Sequence, residues 1–213
     1  MDLKHIIVAN GVFFSILFLA MSLASVGLVV WRFICNIRAK TDIDKFVANV
    51  EAQLVSGGSQ AAIDLIKREA TESRQIVPKL FHAAMTDGAR GKVAARDAMA
   101  DCIELEILPS LLSGLPYILL LAKLAPMAGL LGTVWGMVNA FETIASATKV
   151  EPSALANDIG MALFTTAEGL LIAIPLIFFY TIFRERVHRF ELELARASHA
   201  AIRLLPQVYR KTN

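Results

Sequence analysis

The sequence predicts an all-α membrane protein with three transmembrane helices, a cytoplasmic helical domain between spans 1 and 2, and a cytoplasmic C-terminal helix. Hydrophobic residues make up 56% of the 213 residues, and the mean hydropathy is +0.57. Three apolar runs are each long enough to cross a bilayer, and most charged residues lie outside them. The predicted segments are 1–34 (first span, N-terminus outside), 35–110 (cytoplasmic domain), 111–141 (second span with its cytoplasmic lead-in), 142–154 (external loop), 155–183 (third span) and 184–213 (cytoplasmic helix).

The first span is the apolar run from Ile6 to Trp31. Basic residues follow it directly at Arg32, Arg38 and Lys40, and an excess of basic residues marks the cytoplasmic side of a span. A cleaved signal peptide is the alternative, because Ser22-Leu23-Ala24 resembles a cleavage site. The apolar run continues well past that point, which favours a retained span.

The segment 35–110 has the pattern of several amphipathic helices. Apolar residues recur at helical spacing after a Thr41-x-x-Asp44 sequence that resembles a capping box. Ser56-Gly57-Gly58-Ser59 ends the first helix, and further helices are expected over 60–72, around 78–86 and from Lys92. Between Arg32 and Pro109, eleven basic residues balance eleven acidic ones, which indicates a salt-bridged surface and not an active site.

The second and third spans are oriented by their flanking charges. Pro109, Pro116 and Pro126 punctuate the approach to the second span and permit bends there. The loop 142–154 has few basic residues, as an external loop should. A helix is expected after the third span and is predicted to stop at Pro206. The basic residues expected at the inner membrane interface are Arg32, Lys123, Arg184 and Arg186; Lys123 would have to snorkel there or pair with a neighbouring chain.

Two apolar segments carry threonines among small residues: APMAGLLGTVWGMVNAF (125–141) and IGMALFTTAEGLLIAIPLIFFYTIF (159–183). On a helix, residues three, four or seven positions apart share a face. The small residues that share a face with Thr133 or Thr166 are Gly129, Gly136, Ala140, Ala162, Gly169 and Ala173. Either a close-packed helix seam or a weakly polar face along an ion path fits this pattern.

These two segments resemble the signature segments of the TolQ/ExbB/MotA proton-channel subunits of bacterial inner-membrane motors. APMAGLLGTVWGMVNAF and ALFTTAEGLLIAIP occur in the family's order and at about its spacing. Three spans and a spanning segment near the N-terminus are more similar to TolQ and ExbB than to the four-span MotA type. The resemblance implies location in the bacterial inner membrane.

The resemblance also implies a homopentameric ring whose second and third spans line a central pore. A pair of helices from an ExbD- or TolR-like single-span partner would occupy the pore and carry a proton-binding aspartate. Thr133 and Thr166 match the family's pore-lining threonines, and a TonB-like effector in the periplasm is a further possible partner. Some family members have an acidic residue five positions before the second threonine, where this sequence has Met161.

Glu168 is the one ionisable residue in the third span, and such residues are functional candidates by default. It lies two positions after Thr166, about 200° around a helix, so the two side chains should face different ways. We therefore expect Glu168 to be a buried intramembrane carboxyl, protonated and hydrogen-bonded against a neighbouring helix. A proton-relay role is the alternative.

Other function classes find little support. The net charge of +2 gives no reason to invoke nucleic acid, and Cys35 and Cys102 lack metal-ligand spacing, so no metal or other cofactor is expected. The motifs GxxxxGK[ST], HExxH and GxSxG do not occur, so an enzyme is not predicted. A non-conducting membrane scaffold around a partner's helix remains an alternative. The apolar seam Phe183, Val187, Phe190, Leu194, Ala197 and Ala201 of the C-terminal helix is expected to pack between subunits, or else on its own domain.

Overall fold

The computed structural model describes residues 11–38, 43–72, 76–88, 90–146 and 152–210, and every regular element in these ranges is helical. The predicted all-α class is confirmed, and three helices are long and apolar enough to cross a membrane. The helices are α1 (Gly11–Arg38), α2 (Ile43–Ser56), α3 (Gly58–Glu72), α4 (Ile76–Gly88), α5 (Lys92–Asp101), α6 (Leu108–Leu112), α7 (Leu115–Ser146) and α8 (Pro152–Arg210), with a π-helical turn at Cys102–Ile107.

Two features of the helix order differ from the sequence prediction. The third span and the C-terminal helix are one continuous helix, α8, which passes through Pro206 to Arg210. Proline lacks a backbone donor, and its ring crowds the carbonyl four residues earlier, so it usually ends a helix. The turn after Pro206 is held by contacts of its own: Val208 is buried and Tyr209 binds the Met85 carbonyl. The π-helical turn before Pro109 was not predicted; in it the Leu108 N–H donates to the Ile103 carbonyl, five residues back. Residues 1–10, which include the start of the predicted first span, the predicted cap at Thr41, and 147–151 of the predicted periplasmic loop lie outside the described residues.

The chain divides into two compact units, and we describe each separately. The apolar unit contains α1 up to Arg32 together with residues 114–182. Met21 of α1, Ala125 of α7 and Ala173 of α8 form a buried cluster, against which Leu17, Leu121, Ala128 and Ile172 pack. Trp31 lies on Gly114 at the start of α7. Because Met21 meets Ala125 and Trp31 meets Gly114, α1 runs antiparallel to α7 and parallel to α8.

The closest approach in the apolar unit is between α7 and α8. A Cβ atom placed on Gly132 would lie 2.5 Å from Thr165 Oγ1, and one on Gly136 would lie 2.7 Å from Ala162 Cβ. A Cβ on Gly129 would lie 2.9 Å from Thr166 Cα. Glycine is therefore required at these positions, because any side chain would push the two helices apart. We call this line of contacts the glycine seam.

The charged unit contains residues 33–113 and 183–213, as far as they are described. Helices α2 to α5 pack in chain order, each against the next, and Phe46 meets Phe81 edge to face at 5.2 Å between ring centroids. The C-terminal part of α8 packs on this bundle: Tyr209 donates a hydrogen bond to the Met85 carbonyl. Arg203 forms an ion pair of 2.9 Å with Glu51.

The apolar seam predicted on the C-terminal helix is buried within the chain. Phe183, Val187, Leu194, Ala197 and Ala201 are each at most 3% exposed. Phe190 is partly exposed. This observation favours the second alternative, a helix that packs on its own domain, over packing between subunits.

Gly132→Ala should destabilise the protein by about 1–3 kcal/mol, because the new methyl group overlaps Thr165. Gly160→Ala is the matched control, since a Cβ there meets no atom within 4 Å. In that variant, replacing a helical glycine should be neutral or slightly stabilising. Thermal unfolding in detergent, followed by circular dichroism, measures both. Equal melting temperatures for the two variants would contradict the seam.

Gly114→Ala should also destabilise, for two reasons that separate experimentally. Gly114 has φ of +84°, which L-residues rarely adopt, and an added methyl group would meet the Trp31 ring. Gly58→Ala, at φ of +77° with open space around it, reports the backbone strain alone. Gly114→Ala should therefore lower the melting temperature more than Gly58→Ala does. In a chain that already carries Trp31→Ala, the two glycine substitutions should lower the melting temperature by the same amount. If Gly114→Ala still lowers the melting temperature more than Gly58→Ala without the Trp31 ring, the packing explanation is wrong.

Candidate ion-pathway site

Thr133 lies on α7 next to the glycine seam. Its hydroxyl donates a hydrogen bond of 2.7 Å to the Leu130 carbonyl, one turn earlier, and its side chain is partly exposed. A hydroxyl bound in this way has its proton engaged, but its oxygen lone pairs still accept. Thr133 therefore presents an acceptor without a fixed charge.

The two consecutive threonines of α8 differ in their surroundings. Thr165 is 1% exposed; its hydroxyl lies 2.7 Å from the Ala162 carbonyl and 3.3 Å from the Gly129 carbonyl of α7. Thr165 thus ties the two helices together within the seam. The Thr166 side chain is partly exposed, but its hydroxyl oxygen is buried and has no hydrogen-bond partner among the described residues. The sequence analysis did not predict this role of Thr165. The only sequence signal for it is the glycine-rich face of α7, and the sequence does not say which threonine packs against that face.

Thr133 and Thr166 lie on the same side of the α7–α8 pair. Thr133 follows Gly132 of the seam, and Thr166 follows Thr165. One residue is a rotation of about 100° on a helix. In two antiparallel helices, steps towards higher residue numbers turn to the same side of the pair. Both threonines consequently border one groove, at similar depth, because Gly129 and Gly132 lie opposite Thr165.

The other side of the pair carries α1. Ala128 precedes Gly129 of the seam and Ile172 precedes Ala173, so both turn away from the threonine side. They are the residues that pack against the cluster containing Met21 of α1. The threonine side therefore has no helix of the apolar unit packed on it in the described part of the chain.

Glu168 lies on the α1 side. It precedes Gly169, whose backbone contacts Ala125 and Gly129 in the seam, and it is one turn before Ile172. We expected the Glu168 side chain to be buried, but it is partly exposed in the single chain. The reason is that it points along the flank of α8 and not into the seam. The predicted separation from Thr166 agrees with this helix geometry.

The small residues that we predicted on a pore face lie in helix contacts within the chain. All six are buried: Gly129, Gly136, Ala140, Ala162, Gly169 and Ala173. Packing within the chain thus accounts for the burial of these six residues. Their location along a pore stays a prediction.

The predicted interface cations differ in exposure. Lys123, Arg184 and Arg186 are exposed. Arg32 is only 3% exposed, because it continues the buried stripe of α1 that includes Met21 and Ser25. Arg32 is therefore packed within the protein and does not extend freely as an interface residue.

The charged unit offers a groove, and its chemistry is not that of a nucleophilic site. Lys79, His82, Asp101, Cys102 and Glu106 line an open depression of about 540 Å³. Burial raises the pKa of the Cys102 thiol, and the nearby Glu106 carboxylate raises that pKa further, against a smaller opposite effect of Lys79. A thiol with a raised pKa stays protonated at neutral pH and is a poor nucleophile.

Comparisons with known proteins identify the family. The MotA/TolQ/ExbB proton channel family model matches residues 70–196, which contain both threonine segments. Biopolymer transport protein exbB1 of Vibrio cholerae is 44% identical over 66 residues, covering 30% of this chain and 29% of the relative. Biopolymer transport protein ExbB of Pseudomonas putida is 28% identical over 159 residues, covering 72% of this chain and 48% of the relative.

A relative from a second system is also similar. Tol-Pal system protein TolQ of Pseudomonas aeruginosa is 37% identical over 74 residues, covering 35% of this chain and 32% of the relative. The chain spans about half or less of the length of these curated relatives. Since the family model matches well over half of the chain and three helices can cross a membrane, this inner-membrane chain belongs to the MotA/TolQ/ExbB proton channel family.

Proposed function

We propose that the chain is the channel and stator subunit of an inner-membrane, proton-driven motor of the ExbB or TolQ type. The observation that carries this proposal is the position of Thr133 and Thr166 on one side of the α7–α8 pair, opposite α1. In a ring of copies, which we propose to be a pentamer as in similar proteins, this side would face the central axis. The charged unit would lie in the cytoplasm, because basic residues cluster at Arg184 and Arg186 at the end of the third span.

The threonine hydroxyls would solvate a proton or cation in the pore without trapping it. A hydroxyl both donates and accepts hydrogen bonds, so a ring of threonines can replace water around an entering ion. A fixed carboxylate at the same place would hold the proton more tightly. In the described apolar unit, the carboxylate nearest in depth, Glu168, lies on the other side of the helix pair.

The partner would supply the titrating group. Proteins similar to this one work with an ExbD- or TolR-like chain, whose pair of membrane helices would occupy the pore. Protonation of an aspartate on those helices would change its charge and its preferred position. The helix pair would then turn or shift inside the ring, and a periplasmic extension of the partner, with a TonB-like effector, would transmit the motion.

Thr133→Val and Thr166→Val should each reduce proton flux about tenfold, because each removes one hydrogen-bonding group from the path. Valine keeps the shape of threonine, so the complex should still assemble. Thr143→Val is the matched control: Thr143 lies on the same helix and donates 2.9 Å to the Asn139 carbonyl, but it is ten residues from Thr133. Flux is measured with a pH-sensitive dye in vesicles containing the chain and its partner. Normal flux in both variants would favour the non-conducting scaffold.

Glu168→Gln should leave proton flux per assembled complex within about twofold of the wild type, because Glu168 lies on the α1 side and not on the threonine side. The same vesicle assay measures it, with the amount of assembled complex determined on native gels. Lost flux in an intact complex would make Glu168 a proton relay and overturn this assignment.

A further inference from the structure

Lys123 is an exposed cation on the threonine side of α7. It directly follows Ala122, which belongs to the buried stripe of that helix. Leu121, which precedes Ala122, packs on the other side, against the cluster that contains Met21 of α1. Lys123 is about 200° around the helix from Leu121, so it turns to the side that carries Thr133.

The ammonium group of Lys123 lies deep within the apolar unit. Lys123 is nine residues after Gly114, which is about 14 Å along a helix. The Trp31 ring packs on Gly114, so the end of α1's apolar run and the beginning of α7 are at one level. A lysine stem reaches about 6 Å, which is too short to bring the ammonium group to that level by snorkelling. Inside a bilayer, an ammonium group at such depth needs an opposite charge.

The described part of the chain does not supply that charge. The described acidic residues of the apolar unit are Glu142, Asp158 and Glu168. Glu168 turns to the α1 side and already has an interaction within its own chain. Glu142 is about 28 Å further along α7 than Lys123, and Asp158 is about 15 Å further along α8 than Glu168, towards the same end of the unit. A second copy in the same bilayer holds these groups at the same depths, so it does not supply the charge either.

The exposed surface around Thr133 and Thr166 is apolar. Several large side chains on this side directly follow a buried residue of α7 or α8, as the threonines do: Leu130, Met137, Leu163, Leu170 and Ile174. Lipid phosphate groups lie at the bilayer surface and not in its hydrocarbon core, so lipid does not supply a counter-charge to Lys123. The surface therefore matches an apolar membrane helix of a different protein, with a carboxylate at the depth of Lys123.

We propose that Lys123 pairs with a carboxylate on the membrane helix of the partner protein, and that this carboxylate is distinct from the proton-binding aspartate. Thr133 is ten residues further along α7, or about 15 Å, and helical side chains tilt towards the N-terminus. Lys123 therefore points away from Thr133, and a carboxylate beside Thr133 is out of its reach. The proposal rests on the proposed function, because that function places the partner's helix on the threonine side.

The pair would have two effects. An unpaired ammonium group on the threonine side would repel the cation that the path conducts, and a carboxylate beside it cancels that charge. An ion pair between desolvated groups also fixes the register of two helices more than it adds affinity. Lys123 is thus a positioning residue, which sets the depth of the partner's helix in the ring.

Charge substitutions at Lys123 test the pair. Lys123→Met keeps the apolar stem and should lower the amount of partner that co-purifies with the chain about tenfold, because a carboxylate is left unpaired in the membrane. Lys123→Glu should lower it at least as much, and Lys123→Arg should keep it within about twofold of the wild type. Quantitative mass spectrometry of the complex in mild detergent measures the partner per assembled oligomer. Normal retention in Lys123→Met would overturn the pair.

Restoration by a second substitution identifies the carboxylate. In the Lys123→Glu chain, each acidic residue in and beside the partner's membrane helix is replaced in turn by lysine. One replacement, on the cytoplasmic side of the proton-binding aspartate, should return retention to within about twofold of the wild type. Leu124→Glu is the matched control: Leu124 is exposed and at almost the same depth, but about 100° around α7, so the same lysine should not raise retention there. If no replacement restores Lys123→Glu, or only that of the proton-binding aspartate does, the pair is wrong.

Cross-linking tests the depth of the contact without relying on charge. With Cys35 and Cys102 replaced by serine, single cysteines are placed along the partner's membrane helix. Lys123→Cys and Thr133→Cys should each cross-link to the partner through a short bis-maleimide, at positions about ten residues apart. Leu124→Cys should cross-link to none of them. A Lys123→Cys chain that cross-links to no position of the partner would overturn the proposal.

The outcome is separable from that of the proposed function. If the threonine variants conduct normally but a lysine on the partner restores Lys123→Glu, the pair stands and the conducting role fails. If the threonine variants block flux but no lysine on the partner restores Lys123→Glu, the pair alone fails.

Discussion

The close approach of α7 and α8 is the constraint on which the apolar unit depends. Without hydrophobic drive between helices in lipid, contact must come from tight packing, and the glycines at 129, 132 and 136 make room for it. Thr165 then spans the gap with a hydroxyl between carbonyls of both helices. Once this seam is set, the depth and direction of every other residue on the two helices follow from helix geometry.

The seam gives the helix pair two sides with different surroundings. One side receives α1 through the cluster at Met21 and is thereby held. The other side carries Thr133 and Thr166 and has no described helix of the apolar unit packed on it. An antiparallel pair produces this division from a simple rule, since residues after a seam position turn one way and residues before it turn the other. The side that holds α1 and the side that we propose to conduct are therefore separated by a single residue step.

The sequence predicted the helical class, the three spans and the small-residue faces, because periodicity and hydropathy depend on the chain alone. It did not say which neighbour each face meets. Thr165 and Thr166 differ by one step on a helix, and both fit the spacing of Ala162 and Gly169. Only the packed structure shows that Thr165 bonds across the seam, whereas the Thr166 hydroxyl has no partner among the described residues. Continuity of α8 through Pro206 was also missed, because the contacts that hold the following turn, such as that of Tyr209 with the Met85 carbonyl, are tertiary.

The distribution of charge follows from the same geometry. A proton path works when groups along it hold the ion weakly, which hydroxyl groups do and fixed charges do not. Charges that must lie in the membrane are therefore best placed away from the path and paired with each other. Glu168, which precedes Gly169 of the seam, turns to the α1 side and so lies off the threonine side.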